Sequence, residues 1–577
     1  MSGWDSALPW MAGEVAPPAR SATRRQALGT ALGVVCAGAA SLFVGWAYWT
    51  ALHAPAMGMF HDDGIYAVTA KALATGRGYR IVSLPTEIAQ TKYPILFPAL
   101  LAVVWKLFPE FPRNLFWLKL APFLCTVVWA GLAYRLFREK TGSAPASMAL
   151  TAWMAVAPWV LFLGTALLSE TLFAALMTGA LVLLGRLERG RGGWTTVAGV
   201  AVLISAAFLT RTAGVTLIIV GVLILCMRGR WKQVAAFALI CASLCGPWIW
   251  WQAGQQSAAL DHEPYYSRAN YRSWNILLHF TPAEKAQILS QNLLGALLAP
   301  AALVGVPATG GGPILALALG ALIATGFAAS LAWRPAALEI FVLLYGAVVL
   351  SWAWPPVRFL APLLPVLLLY AYRGATAVCA LFRMRARETH IAMGSLALLF
   401  LLEGGWSLAQ TALTARQTGA VRMPGVPQDE WRETVRMFDW IERNSSPDAV
   451  LIGNLDPVLY LYTGRKSVRG FVQNPYLLHY TADERALPLG RTSELLETIR
   501  WYGANYLIAA PNASFKEGPY LARLTRDLLR EHPNQFRLAY QSADSRYRIY
   551  AIALEGCAGD LSVKANCRSA GRLLGSD

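Results

Sequence analysis

A succession of long apolar runs with almost no charge inside them constrains this chain more than any other feature of its sequence. In hydrocarbon a segment must satisfy its own backbone polar groups, so such runs fold as membrane-crossing helices. A span needs about 20 apolar residues. Runs near that length lie at 27–52, 115–134, 144–166, 168–185, 194–210, 213–227, 233–251, 313–333, 336–353, 359–381 and 391–413. Charged residues make up 14% of the 577, against about 25% in soluble proteins, and the deficit lies in these runs. The 32 Pro and 22 Trp suit interrupted spanning helices and interfacial belts.

The net charge of +17 reads as a topology signal, because Lys and Arg cluster at the ends of the runs. No basic stripe interleaved with aromatics, no zinc-finger spacing and no RNA-binding signature accompanies it, so nucleic acid is not expected as a partner. Thr23-Arg24-Arg25 resembles a twin-arginine signal. The run after it is 26 residues long, however, and a signal peptide has an apolar core of about 7–15. An uncleaved first span is expected, held at its cytoplasmic start by Arg20, Arg24 and Arg25.

Two runs, 94–108 and 293–306, are ambiguous. If 94–108 lies on the surface as an amphipathic helix, Arg135, Arg138 and Lys140 become cytoplasmic. So do Arg186, Arg189 and Arg191, then Arg228, Arg230 and Lys232. If 293–306, with Pro300 and the Gly310-Gly311-Gly312 break, also stays out, Arg383, Arg385 and Arg387 are inside as well. The expected fold class is therefore a polytopic α-helical membrane protein of about 11 spans, at most about 13, with juxtamembrane helices in its first outer loop. The N-terminus is in and the C-terminus out. The expected parts are a cytoplasmic segment 1–26 and a membrane domain 27–414, with outer loops 53–113 and 252–312. An extracytoplasmic domain 415–577 completes them. Helical periodicity at 431–443, 495–501 and 520–530 alternates there with strand-like pieces at 449–453, 506–510 and 547–554, which is the pattern of a small α/β domain. Cys557 and Cys567 are polar-flanked, and a disulfide between them fits an oxidising compartment; two free thiols are the alternative.

The chemistry-bearing candidates gather on the outer side. The first loop opens His61-Asp62-Asp63-Gly64-Ile65-Tyr66, continues at helical spacing to Thr75, and ends Gly76-Arg77-Gly78-Tyr79. Adjacent carboxylates can act as a base and a partner that tunes it; taken alone, the pair reads more simply as a helix cap. Lys92-Tyr93-Pro94 offers a point charge for a phosphate or, as readily, a snorkelling Lys. Ser169-Glu170, Arg211 and Arg358 sit at outer ends of helices. Each alone reads as an interfacial charge, but together with the acidic pair they suggest one outer cavity in which guanidiniums meet a phosphate. Walker A, His-Glu-x-x-His, Cys-x-x-Cys and Gly-x-Ser-x-Gly are all absent. His61, Asp62 and Asp63 make a weak case for a divalent ion, and no resident metal or other cofactor is expected.

Asp62-Asp63-x-x-Tyr66, Gly76-x-Gly78-Tyr79 and Lys92-x-Pro94 resemble the GT-C class of membrane glycosyltransferases. The likeness is to the glycosyltransferase 39-like branch near the protein O-mannosyltransferases and the aminoarabinose lipid A transferases. Ser169-Glu170, Arg211 and Arg358-Phe359-Leu360-x-Pro362-x-x-Pro365 resemble family positions, and the tail segment Leu459-Tyr460-Leu461-Tyr462-Thr463-Gly464-Arg465 resembles the extracytoplasmic domain of many such enzymes. The resemblance implies an inverting hexosyl- or pentosyltransferase of the bacterial cell membrane. It would move a sugar from a polyprenyl-phosphate donor to a hydroxyl of a lipid, glycan or protein. Asp62 would be the base, with Asp63 its catalytic accessory. Lys92, Arg211 and Arg358 would bind the donor phosphate, and Tyr66 and Glu170 would position substrate. The rival reading, a non-enzymatic flippase or transporter of lipid-linked sugars, would show paired halves with interrupted helices, and the sequence has none.

Overall fold

The computed structural model describes residues 24–553 apart from 59, 260–279, 334–335, 422, 424–430, 472, 482, 484 and 512–516. Arg20, the Cys557/Cys567 pair and the middle of the 252–312 loop therefore lie outside the described residues. The chain divides into two compact units, Met1–Trp46 and Ala47–Asp577. In the first, the described part is helical from Arg24, and the Phe43 and Trp46 rings stack 6.0 Å apart. Apart from the count of apolar helices, the account that follows concerns the second.

Eight helices among the described residues are long and apolar enough to cross a membrane. The pair Ala144–Val156 and Pro158–Thr165, bent by 61°, makes a ninth if it is one broken span. The bend falls at Pro158, which cannot donate to the preceding turn. About 11 spans were expected; three of the expected runs fall short of the length needed and one helix not counted among them reaches it. Trp194–Thr210, Thr212–Met227 and Ala337–Ser351 are apolar but short. The run at 293–306, expected to stay out, is the end of a helix Pro282–Leu303 that is long enough to cross. Its start was hidden by polar residues: Thr281 and Glu284 form a capping box, with Thr281 N donating to Glu284 Oε2 at 2.7 Å. The run at 94–108 is the short apolar helix Leu96–Leu107.

The helices Gly312–Trp333 and Leu364–Leu381 cross with their backbones almost touching. A Cβ on Gly326 would lie 2.0 Å from the Tyr370 carbonyl oxygen, and one on Gly374 would lie 1.8 Å from that of Leu322. Small residues permit this approach, which supplies packing where the hydrophobic effect supplies little.

The tail is a small α/β domain, as its alternating pattern led us to expect. Five strands are arranged in the order β2-β1-β3-β5-β4: β1 Val450–Ile452, β2 Lys466–Val468, β3 Tyr506–Ala509, β4 Phe536–Gln541 and β5 Arg548–Ile552. The first three are parallel and the last two pair antiparallel. The helix Asp456–Thr463 connects β1 to β2, and Thr492–Tyr502 leads into β3. The domain is sealed onto the first loop. Its core of Trp431, Phe438, Leu451, Val458 and Ile549 includes Ala56, and Ser467 N of β2 donates to the Ser83 carbonyl at 2.9 Å.

Candidate active site

The helix Asp62–Ala74 begins at the acidic pair, and its first turn sends the two carboxylates to different places. Asp63 is buried and turns back along the chain, accepting from the N–H groups of Gly58 (2.7 Å), Gly64 (2.9 Å) and Phe60 (3.2 Å). Burial raises its pKa, and those N–H groups offset part of the rise. It thus fixes the turn that precedes the helix. Asp62 projects the other way. Its Oδ2 lies 2.9 Å from Arg358 Nη1, and its Oδ1 accepts from the Tyr93 hydroxyl. Burial acts to raise its pKa, but the charges of Arg358 and Lys92 and the Tyr93 hydrogen bond outweigh it, holding the carboxyl well below the usual range.

A chain of charge-assisted contacts extends from Asp62 through the other helix ends. Glu170, at the first position of the helix Glu170–Glu188, is 1% exposed, and its Oε1 receives both Arg358 Nε (2.6 Å) and Arg211 Nη1 (2.8 Å). Arg211 also donates to Ser169 Oγ (3.2 Å), which shares a 2.9 Å hydrogen bond with the Tyr66 hydroxyl. The Arg358 guanidinium lies over the Phe60 ring, 4.6 Å from its centroid. A buried carboxylate is tolerated when cations and a helix N-terminus neutralise it, and Glu170 has both. Arg211 is held at a break: the helix Trp194–Thr210 ends there in extended backbone before the next turn starts.

Of the expected site residues, Asp62, Tyr66, Glu170, Arg211 and Arg358 meet in this one network. Lys92 adjoins it: its charge acts on Asp62, and its ammonium lies 5.2 Å from the centroid of the Tyr93 ring. Burial pushes the Lys92 pKa down to about 8, with Asp62 partly opposing the shift. Asp63 faces away from the network.

Sequence reasoning missed three groups. Tyr93 was read only as part of Lys92-Tyr93-Pro94, although an aromatic hydroxyl so close to a basic residue was a usable signal. Lys119, alone in an apolar run, donates to the carbonyls of Ala54 (2.5 Å) and Ala56 (2.9 Å), pinning the segment before Asp62. Asp456 of the tail pairs with His61, Oδ1 to Nε2 at 2.9 Å, a contact that no local pattern announces. Among the described residues no group of three or more His, Cys, Asp or Glu is arranged to hold a metal ion.

The membrane part also holds an apolar cleft of about 520 Å³. It runs between the helices Leu96–Leu107, Leu115–Thr141, Glu170–Glu188 and Trp194–Thr210, lined among others by Leu100, Leu124, Val128, Leu172 and Ala175. Leu172 and Ala175 follow Glu170 on its own helix, and Leu100 stands on the helix that follows Lys92-Tyr93-Pro94.

No family model matches the chain, and no curated protein matches it by sequence. Solved structures do match it. ArnT from Cupriavidus metallidurans bound to undecaprenyl phosphate aligns with a TM-score of 0.53 and 14% identity, over 91% of this chain and 99% of that one. Its apo state aligns with a TM-score of 0.51 and 12% identity, over 90% and 98%. The archaeal oligosaccharyltransferase AglB from Archaeoglobus fulgidus is a looser likeness, with a TM-score of 0.49 and 12% identity over 89% and 74%. At these identities the likeness is one of fold. The chain is a multi-pass membrane protein that shares its fold with the ArnT structures, a likeness in line with the resemblance carried by its first-loop motif.

Proposed function

We propose that this chain is a membrane glycosyltransferase that moves a sugar from a polyprenyl-phosphate donor to an acceptor hydroxyl, with inversion. The observation that carries the reading is the Asp62–Arg358–Glu170–Arg211 network with Lys92 beside it, and an apolar cleft between the helices suits a lipid tail. In this reading the prenyl chain occupies that cleft and its phosphate meets Lys92 and Arg358, and one solved structure of this fold holds undecaprenyl phosphate. The charged groups stand at helix ends on the side of the first loop, which favours transfer at a surface over transport through the helices.

In the proposed reaction Asp62 accepts the hydrogen bond of the acceptor hydroxyl and aims its oxygen at the anomeric carbon. The new C–O bond forms as the bond to the phosphate oxygen breaks, and polyprenyl phosphate departs with the electron pair. Lys92 and Arg358 stabilise the charge that develops there, with Arg211 supporting them through Glu170. When a donor phosphate shares Arg358, the charge that depresses Asp62 is divided and its basicity rises, so it can take the hydroxyl proton. The proton's final holder is the departing phosphate, whose second pKa is about 6. Tyr66 and Glu170 keep the two arginines in place, and Asp63 holds the turn that aims Asp62.

The membrane domain at 27–414, the extracytoplasmic domain at 415–577 and a bacterial cell membrane with the N-terminus inside belong to the same proposal. Mass spectrometry of envelope glycans, glycolipids and glycoproteins from a deletion strain identifies the sugar lost and so the donor to synthesise. With that donor, Asp62→Asn in proteoliposomes is expected to lose at least about a hundredfold in turnover, the usual scale of acid–base assistance. Near-normal turnover in the folded variant would sink the assignment of Asp62.

A further inference from the structure

The segment carrying Asp62 and the segment carrying Arg358 are far apart in sequence, yet their side chains meet at 2.9 Å. Both are held by the tail, through two different elements of it. On the Asp62 side, His61 Nε2 lies 2.9 Å from Asp456 Oδ1, with His61 10% exposed and Asp456 fully buried. Asp456 is in turn fixed by its neighbours. The Ser467 hydroxyl donates to its carbonyl, and Arg469 lies 3.9 Å away between Asp456 and Glu517. The next two residues of the tail helix close on the glycines that flank the acidic pair. A Cβ on Gly64 would stand 2.9 Å from Pro457 Cβ, and one on Gly58 would stand 2.0 Å from Val458 Cγ2. The tail therefore abuts the turn that aims Asp62.

On the Arg358 side the contact runs through Tyr480. Its hydroxyl donates to Asn292 Oδ1 at 2.8 Å, and Asn292 Nδ2 donates to the carbonyls of Trp352 (2.8 Å) and Leu350 (3.1 Å). The Tyr480 ring packs with Ala353 and Trp354. These residues end the helix Ala337–Ser351 and lead through Pro355 and Pro356 to Arg358. Asn292 is thus a buried amide joining a tail hydroxyl to the backbone that delivers the arginine.

We propose that the C-terminal domain is a positioning clamp for the site, with Asp456 setting Asp62 through His61 and Tyr480 setting Arg358 through Asn292. This rests on the glycosyl-transfer reading for its consequence in turnover, but not for its geometry. A misplacement of about 1 Å at a reacting group can cost a hundredfold in rate. Asp456→Asn and Tyr480→Phe are therefore each expected to lower kcat by about tenfold or more while leaving the KM for donor within about twofold. Adding His61→Gln to Asp456→Asn, or Asn292→Ala to Tyr480→Phe, lowers kcat no further, since each pair acts as one unit.

Hydrogen exchange on the full-length protein in detergent supplies a readout independent of turnover. Asp456→Asn speeds exchange of the amides at 58–66 and leaves 352–360 protected; Tyr480→Phe does the reverse, with the thermal midpoint held in both. Tyr480→Phe removes a single oxygen, so it keeps the test alive should Asp456→Asn fail to fold. Wild-type kcat and exchange in folded Tyr480→Phe overturn the Arg358 arm, and the same result in Asp456→Asn overturns the Asp62 arm. Segment-specific exchange changes in a protein with no transfer from any polyprenyl-phosphate sugar would keep the clamp and remove the glycosyltransferase reading instead.

Discussion

Lys92 is half-buried beside Asp62, Arg358 and Arg469, and the loss of solvent lowers its pKa to about 8. Below that pH the ammonium is charged and able to meet a phosphate; above it the group is neutral and the contribution is lost. The kcat/KM profile of the wild type is therefore expected to fall as pH rises through about 8, with bound donor moving the fall in kcat to higher pH. Lys92→Arg should abolish that alkaline limb, since a guanidinium stays charged. A limb that persists in the arginine variant assigns it to another group. Neither this environment nor the division between the two aspartates was legible in the sequence. The pair Asp62-Asp63 marks the helix start unmistakably, and capping was the simplest reading from composition. Which carboxylate turns back onto Gly58 and which faces Arg358 depends on the backbone angle at His61 and on residues about 300 positions away, and no local pattern encodes that.

Glu170 acts at the scale of elements, because one carboxylate ties the starts of two other segments to its own helix. Replacing it with Gln leaves Arg211 and Arg358 facing each other across a neutral amide. The expected cost is about 3 kcal/mol, the low end for breaking a buried pair from one side, because both guanidiniums keep some solvent contact. The drop in thermal midpoint measures it, and an unchanged midpoint would mean that the arginines find other partners. Glycine crossings work at the same scale. Gly374→Leu sets side-chain atoms against the backbone of the facing helix, where even a Cβ would stand 1.8 Å from a carbonyl. The variant should lose detergent stability outright, whereas Gly394→Leu, with open space around it, should not. The helices themselves were legible wherever a run was long and uncharged. They were misread where polar residues carry a helix beyond its apolar part, as at Thr281–Glu284, and the bend at Pro158 inside the expected 144–166 run was not foreseen.

At the scale of the whole molecule the question is how a lipid-borne substrate reaches a polar site. In the proposed binding mode a prenyl chain lies in the cleft lined by Leu172 and Leu100, each on a helix that begins near a site residue, and stays in an apolar setting while its phosphate meets the cations. Each methylene kept from water there contributes about 0.8 kcal/mol, but a chain already in a bilayer gains only the difference in packing between cleft and lipid. The cleft's main effect is then to orient the donor, and the donor's length should matter more to binding than to chemistry. Filling the cleft tests this directly. Val128 and Leu124 line it and are more than half exposed, so a larger side chain there disturbs little of the core. Leu124→Trp and Val128→Trp are expected to raise the KM for a long-chain polyprenyl-phosphate sugar severalfold with kcat nearly unchanged. The same variants should leave the KM for a short, water-soluble prenyl-phosphate analogue at the wild-type value. Equal effects on both donors would place the lipid elsewhere on the surface and leave this cleft a feature of helix packing.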